Sequence, residues 1–503
     1  MKHNIFSNML FAALSKCIAI IGPFIVRTII IYRLGNEYIG LNSLFTSLLN
    51  VLNLAELGFG SAMTFYMYKP VNEKDYEKLS AILNFYKFTY RIIGVAILVF
   101  GLILTPFIKY LINGNYPDGI NIYTLFIIYL LNTVASYTLF AYKSSILIAN
   151  CRNDILHMMQ GIIQFAMYIV QAVVLIVTKN YYFYIIILPL FTIINNGLLY
   201  YITKKRYPEY IDSGKLAKAE KNLIFSQIKA LLVHKLAGVL ITSFDNIVIS
   251  TILGLGTLAV FSNYFYLVNA INGLVDIVMA SIVSTVGSQL LNYSEKQFCE
   301  EFHVMSYISN ILIGTCTVCF FSLFQPFISF WVGKESILPL RTMILFCIYF
   351  YTWKIRSIGL VYRDAAGLWK KDVTKSMVGL ILDLVLDILL VATIGIDGAL
   401  ISTILIMTVV FYPWETKVLF TDLFQCSSSR YIRLTIQNAA ITASLLIVLW
   451  YFWENIEINN AILNLFIRLV LSVVVSVIGF ILPTAKTKEF KIICQWYKKR
   501  IKA

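Results

Sequence analysis

Long apolar runs dominate the chain, each separated from the next by a short stretch rich in Lys, Arg, Asn, Asp or Gly. A helix needs about 20 apolar residues to cross ~30 Å of hydrocarbon. Runs of that length can be laid down at 7–33, 40–66, 81–104, 120–150, 155–177, 182–203, 223–252, 257–291, 303–332, 338–366, 374–394, 397–421, 432–453 and 461–482, fourteen in all. Several exceed the minimum, so those helices tilt or project beyond the hydrocarbon. The pattern predicts an all-α polytopic membrane protein, because in lipid a helix satisfies its own backbone N–H and C=O groups. A transmembrane barrel would show short segments of alternating polarity instead.

Composition sharpens that reading. Of the 503 residues 59% are apolar and only 13% charged, against about 25% charged in a soluble protein. A soluble enzyme of this size would need a charged exterior, so that class is excluded. The remaining charge is lopsided, with 41 Lys and Arg against 26 Asp and Glu. Because these cations cluster in the breaks between runs, they read as topology and not as a nucleic-acid surface. An even number of spans puts both termini on one side. That side carries 25 Lys and Arg, whereas the other has only Arg33, Lys109, Lys179, Lys334 and Arg341. The positive-inside rule then makes both termini cytoplasmic, in a bacterial inner or plasma membrane. Lys16 interrupts the first run and no small-residue cleavage site follows, so it is read as a span and not as a signal peptide. The tail 486–503, with Phe490, Ile493 and Trp496 among lysines, fits a basic interfacial helix on anionic lipid as well as a solvated tail. The eight cysteines lie in apolar runs or in loops assigned to the cytoplasm, so no disulfide framework is implied, and Cys316 and Cys319 read as packing residues.

Loops on the outer side are short, the longest being 105–119, which leaves no external domain to house chemistry. The largest cytoplasmic break, Lys204 to Lys221, follows six spans. Shifting the chain by about 220 residues brings its halves into partial register. Thr105-Pro106-Phe107-Ile108 meets Gln325-Pro326-Phe327-Ile328, Gly94 meets Gly314, and Leu34-Gly35 meets Leu253-Gly254. The break Cys151-Arg152-Asn153-Asp154 lies opposite Trp369-Lys370-Lys371-Asp372. Matches in one order at a near-constant offset indicate a duplicated unit. Six spans separate the copies, so they share one orientation, as in transporters that bind substrate between two halves. The expected organisation is an N-lobe 1–203, a cytoplasmic linker 204–222, a C-lobe 223–421, an extra helix pair within 422–485 and a basic tail 486–503.

Charges within apolar runs are costly at about 2.5–3.5 kcal/mol each, so they face wet cavities, pair, or snorkel from helix ends. Lys143, Lys229, Lys235, Arg363 and Arg468 read as snorkelling at cytoplasmic ends, and Arg27, Arg91, Lys354 and Arg356 lie deeper. Arg356 and Arg363 are seven apart, on one helix face. Since guanidinium forks match phosphate oxygens, Arg27, Arg91, Lys354, Arg356 and Arg363 are candidates for a phosphorylated substrate, with internal ion pairing as the alternative. The acids in the runs are Glu56, Asp245, Asp276, Asp383 and Asp387, candidates for ion coupling or gating. Asp383 and Asp387, at i and i+4, could share a proton or a cation, or pair with Arg356. Asp245 stands at an offset of 218 from Arg27, giving opposite charges at nearly one depth in the two copies. The four histidines lie far apart, and no phosphate-cradling glycine loop ends in Lys-Ser/Thr, so neither a metal centre, a catalytic set nor an ATPase is expected. No cofactor is implied beyond a coupling proton or sodium ion.

Several stretches together resemble one family. Leu34–Phe45 (LGNEYIGLNSLF), Leu54–Ala62 (LAELGFGSA), Tyr68–Leu79 (YKPVNEKDYEKL), Asp245–Gly256 (DNIVISTILGLG), Phe261–Val268 (FSNYFYLV) and Val361–Asp372 (VYRDAAGLWKKD) look like the Wzx-type polysaccharide-biosynthesis flippases, closest to those of Gram-positive bacteria. The resemblance implies the multidrug/oligosaccharidyl-lipid/polysaccharide exporter superfamily, alternating access, and a cationic cavity in which the first-span arginine corresponds to Arg27. The implied cargo is an undecaprenyl-pyrophosphate-linked oligosaccharide repeat unit of capsule or O-antigen, with polymerase and chain-length machinery as partners. The extra helix pair could line a groove for the polyprenyl tail. A peptidoglycan-precursor flippase is the nearest rival, and a drug or metabolite antiporter of the superfamily, usually with twelve spans, is the next.

Overall fold

The computed structural model describes residues 2–56, 58–368, 372–456 and 458–502. Trp369, Lys370 and Lys371, which carried part of the repeat and of the cytoplasmic charge, lie outside the described residues, as do the side chains of His3, Lys229, His234, Lys235 and Trp496. The chain is an all-α polytopic membrane protein, with no strand among the described residues.

In chain order the α-helices are α1 (Lys2–Arg33), α2 (Asn36–Leu52), α3 (Phe59–Glu73), α4 (Tyr76–Leu104), α5 (Ile122–Thr138), α6 (Ser144–Ala149), α7 (Asn153–Thr178), α8 (Tyr181–Arg206), α9 (Lys218–Leu253) and α10 (Leu255–Asn292). There follow α11 (Glu295–Trp331), α12 (Leu340–Lys354), α13 (Ser357–Ala365), α14 (Val373–Ile394), α15 (Ile396–Leu405), α16 (Tyr412–Val418), α17 (Ser429–Glu454), α18 (Ala461–Thr484) and α19 (Lys488–Lys502). Polar residues in the breaks start these helices by satisfying orphan N–H groups. Asn121 accepts from the backbone of Tyr123 and Thr124 (3.1 Å each), Asn180 from Tyr182 (2.9 Å) and Asn460 from Leu463 (3.0 Å). Ser294 and Gln297 form a capping box at the head of α11.

Every expected run is helical, but fewer than fourteen are single membrane-length helices. Among the described residues eleven helices are long and apolar enough to cross a membrane, or twelve with the pair Ile122–Thr138 and Ala141–Ala149, bent by 44°. The bend falls at Phe140, whose φ is 56°. The run 40–66 is divided by the 3-10 turn Asn53–Glu56 and by Gly58 in the left-handed region. The run 223–252 lies in α9, whose apolar part, Gly238–Leu253, is a shorter stretch.

Two compact units form, Met1–Ser262 and Asn263–Ala503. In the first, α1 packs along α7, α4 on α5, α5 and α7 on α8, and α2 along α9. Leu147, Leu156, Met159, Ile163 and Leu199 make one of its apolar clusters. The break between α8 and α9 folds back on α4 and its neighbours. Asn84 donates to the carbonyl of Gly214 (2.8 Å), Lys78 pairs with Glu220 (2.7 Å), and Asp212 takes Lys143 (2.5 Å) and Lys87 (3.5 Å). Leu34-Gly35 and Leu253-Gly254 each end one helix and begin the next, with φ/ψ of 114°/165° at Gly35 and 88°/173° at Gly254. That region is open almost only to glycine, so the residue pairs aligned by the repeat also share a backbone junction.

In the second unit α11 is the hub, packed against α12, α17 and α18, and α14 lies on α15. Val318, Leu445, Leu449, Trp453 and Phe480 join α11, α17 and α18 in one apolar cluster. The basic tail is helical as α19 and docked at its start: Arg430 binds Glu489 (2.5 Å) and Glu300 (2.9 Å), and Lys488 reaches Glu300 (3.0 Å). The Sγ atoms of Cys299 and Cys426 are 2.7 Å apart, a contact between residues 127 apart that the spacing of the cysteines had not suggested.

Candidate functional site

In the first unit Arg27, on α1, donates from Nη2 to the hydroxyl of Ser262 (2.5 Å) and stands within electrostatic reach of Tyr181 and Tyr184 on α8. It therefore faces protein from the last two turns of α1. Glu56, in the 3-10 turn, accepts from the Tyr90 hydroxyl (2.8 Å), which in turn accepts from Tyr86 (2.9 Å). Asp245, on α9, is buried. Arg91 is exposed on α4, a helix whose Phe88, Ile92, Val95 and Val99 are exposed apolar residues. Lys143 does not snorkel alone; it is buried and held by Asp212.

The second unit gathers more of the expected residues. Lys354 on α12 donates to Asp276 on α10 (2.6 Å), joining two of them directly. Arg356 makes a fork to Glu415 on α16, Nε to Oε2 (2.8 Å) and Nη2 to Oε1 (2.5 Å), and lies over the Phe411 ring at 4.9 Å. Lys375 at the start of α14 bonds both Glu415 (2.6 Å) and Asp372 (2.9 Å). Arg363 completes the array through Asp372 and Asp364. Three cations thus meet three carboxylates, and all but Asp364 are buried. A buried charge persists only when paired and hydrogen-bonded, and this network meets that condition. Arg356 and Arg363, expected on one helix face as candidates for a phosphorylated substrate, are engaged here with Glu415, Asp372 and Asp364.

Glu415 and Lys375 are the residues that sequence reasoning missed. Lys375 lies at the very start of the run 374–394, beside a lysine-rich break, and Glu415 lies within the run 397–421. An acid directly after Pro413-Trp414 inside that run was the available signal. Segments of π-helix, Ile406–Phe411 and Leu419–Leu423, flank α16 on both sides. Such widened turns recur at functional positions, and here they border the helix that carries the buried Glu415.

Asp383 and Asp387 project from the buried face of α14 along with Ser376, Gly379, Leu380 and Val391, whereas Ile381, Leu382, Val385, Ile388 and Leu389 are exposed. Ser402 on α15 donates to Asp387. Neither oxygen of Asp383 has a hydrogen-bond partner among the described residues, although Thr403 lies beside it. Two adjacent buried carboxylates are an arrangement that takes up a proton or a small cation to relieve their repulsion. Arg468 stands seven residues into α18, beside Trp453 and Glu454 at the far end of α17. It is therefore at the end of α18 opposite the docked tail, not at the tail-side end expected for it.

An apolar cavity of about 680 Å³ opens among α10, α11 and α18, lined by residues such as Leu267, Ile271, Phe320, Leu469 and Val473. Cys316 and Cys319 lie on its wall. Of the extra helix pair only α18 contributes to it; α17 instead packs on α11.

Similar solved structures include the lipid II flippase MurJ in an inward closed conformation, with a TM-score of 0.65 and 14% identity over 96% of this chain and 99% of that one. An inward-facing multidrug resistance MATE family transporter of the MOP superfamily gives 0.64 and 14% over 86% and 98%. The eukaryotic MATE transporter AtDTX14 gives 0.55 and 11% over 87% and 98%. At these identities the likeness is one of architecture: the chain has the fold of the flippases and transporters of that superfamily. No protein-family profile matches the sequence, and no curated protein does.

Proposed function

We propose that this protein is a lipid flippase for polyprenyl-diphosphate-linked saccharides, moving an undecaprenyl-pyrophosphate-linked oligosaccharide repeat unit from the cytoplasmic to the outer leaflet. The observation that carries this reading is the likeness to the lipid II flippase over 96% of the chain. The MATE transporter, itself 98% covered, leaves about a seventh of the chain without a counterpart. A drug antiporter has no need of a further helix pair. A lipid-linked cargo has a long apolar tail to accommodate, and the cavity walled by α18 suits a polyprenyl chain. The sugar-diphosphate head cannot cross hydrocarbon unaided, so it requires a cation on its path. Arg27 is our assignment for that cation, because it lies within an apolar span and bonds a polar side chain of the protein. Asp383 and Asp387 are our assignment for the coupling ion, a proton or Na⁺. The protein performs transport, not bond-making chemistry, and sits in the cytoplasmic membrane with both termini inside.

The motif resemblance favours an oligosaccharide repeat unit, whereas the match to MurJ favours the peptidoglycan precursor as a second reading. Proteoliposomes loaded in one leaflet with fluorescent polyprenyl-diphosphate oligosaccharide or with labelled lipid II separate the two. Faster transfer of the oligosaccharide carrier is expected. Transfer of lipid II alone would move the assignment to the second reading, and transfer of neither would end both.

A further inference from the structure

A second polar site lies within the second unit, away from the residues assigned to transport. Arg468 is seven residues from the start of α18, about 10 Å along the axis. Its guanidinium is positioned by three contacts. Nε donates to Asn464 (2.7 Å), Nη1 to the carbonyl of Ser322 (3.3 Å), and the plane stacks over Trp453 at 4.3 Å. Trp453 is itself fixed by its Nε1–H donating to Ser322 (3.2 Å). Arg468 has no carboxylate partner among the described residues. Five N–H groups belong to a guanidinium and two are used within the protein, which leaves a forked set of donors for an anion.

Those donors border a cavity of about 430 Å³. Gln325, Ser329 and Asn464 supply polar wall, Trp450 and Met343 supply apolar wall, and the exposed Glu454 stands on the lining without pairing with Arg468. One wall suits a charged head and the other suits the start of an acyl chain. Because a cation and an acid line the same cavity without neutralising each other, the site matches a headgroup that carries both signs.

We propose that this cavity binds a zwitterionic phosphate-headed lipid of the leaflet opposite the docked tail, with the phosphate on Arg468 and the ammonium toward Glu454. Bound there, the lipid bridges α11, α17 and α18 at the end where the helix pair turns, and steadies the wall shared with the polyprenyl cavity. The inference is independent of the cargo assigned above, since it concerns a resident lipid.

Native mass spectrometry of the full-length protein, titrated separately with phosphatidylethanolamine, phosphatidylglycerol and inorganic phosphate, tests it. Retention of phosphatidylethanolamine should exceed that of phosphatidylglycerol, and Arg468→Gln should lower it about tenfold, as expected for loss of a charge-assisted contact. Arg468→Lys should retain part of the binding. Glu454→Gln, an exposed change that leaves the fold intact, should erase the preference between the two lipids. Equal retention by the wild type and Arg468→Gln, an unchanged preference in Glu454→Gln, or competition by inorganic phosphate at lipid concentrations would each overturn the proposal.

Discussion

The two units use ion pairs for different jobs. In Met1–Ser262 the pairs on Asp212 fasten a loop to the helices, since Lys143 in the turn before α6 and Lys87 within α4 both reach that single carboxylate in the break after α8. In Asn263–Ala503 the pairs fasten helices to one another inside the fold, with Arg356, Lys375 and Arg363 interleaved with Glu415, Asp372 and Asp364. The difference is one of escape. The half-buried Lys87 can lift its amine toward water when its partner is lost. A guanidinium packed against Phe411 and Met407 has no such route. Ion pairs of the first kind adjust to motion, whereas those of the second kind define a rigid block against which motion can occur.

The largest test of this contrast is Glu415→Ala. Removing the shared carboxylate strands both Arg356 and Lys375, which should cost about 3–5 kcal/mol and appear as a lowered Tm in detergent. Asp212→Ala should cost only about 1–2 kcal/mol by the same measurement. Equal losses would erase the distinction between the units. Arg27→Ala should behave in the opposite sense to Glu415→Ala. It should reduce flipping of the labelled carrier roughly 10- to 100-fold, as expected for loss of a charge-assisted phosphate contact, with an unchanged Tm. Normal flipping would remove Arg27 from the transport path. A smaller effect concerns the duplicated junctions. Gly254→Ala and Gly35→Ala each force a side chain into a glycine-only region, at about 1–3 kcal/mol. A Cβ on Gly254 would also lie 2.8 Å from the Asn113 carbonyl, whereas one on Gly35 meets nothing within 4 Å. Gly254→Ala should therefore lower the Tm more.

Much of the helical layout was legible because the hydrophobic penalty is local. All fourteen apolar runs are helical, and the Leu-Gly pairs at 34–35 and 253–254 both mark breaks. The buried setting of Asp383 and Asp387 was also readable, since acids in an otherwise apolar span rarely face lipid. The destination of each cation was not readable. Arg356 and Glu415 are 59 residues apart, and Arg363 finds Asp372 across a break with no regular period.

The amino-acid order by itself determined that this chain enters a membrane as helices, because burying backbone and side chains in hydrocarbon is decided within each twenty-residue window. Only the packed structure decided which buried charges neutralise one another and which stay available. That choice depends on angstrom distances between distant helices, where a low dielectric makes an ion pair strong at contact and an unmatched charge costly.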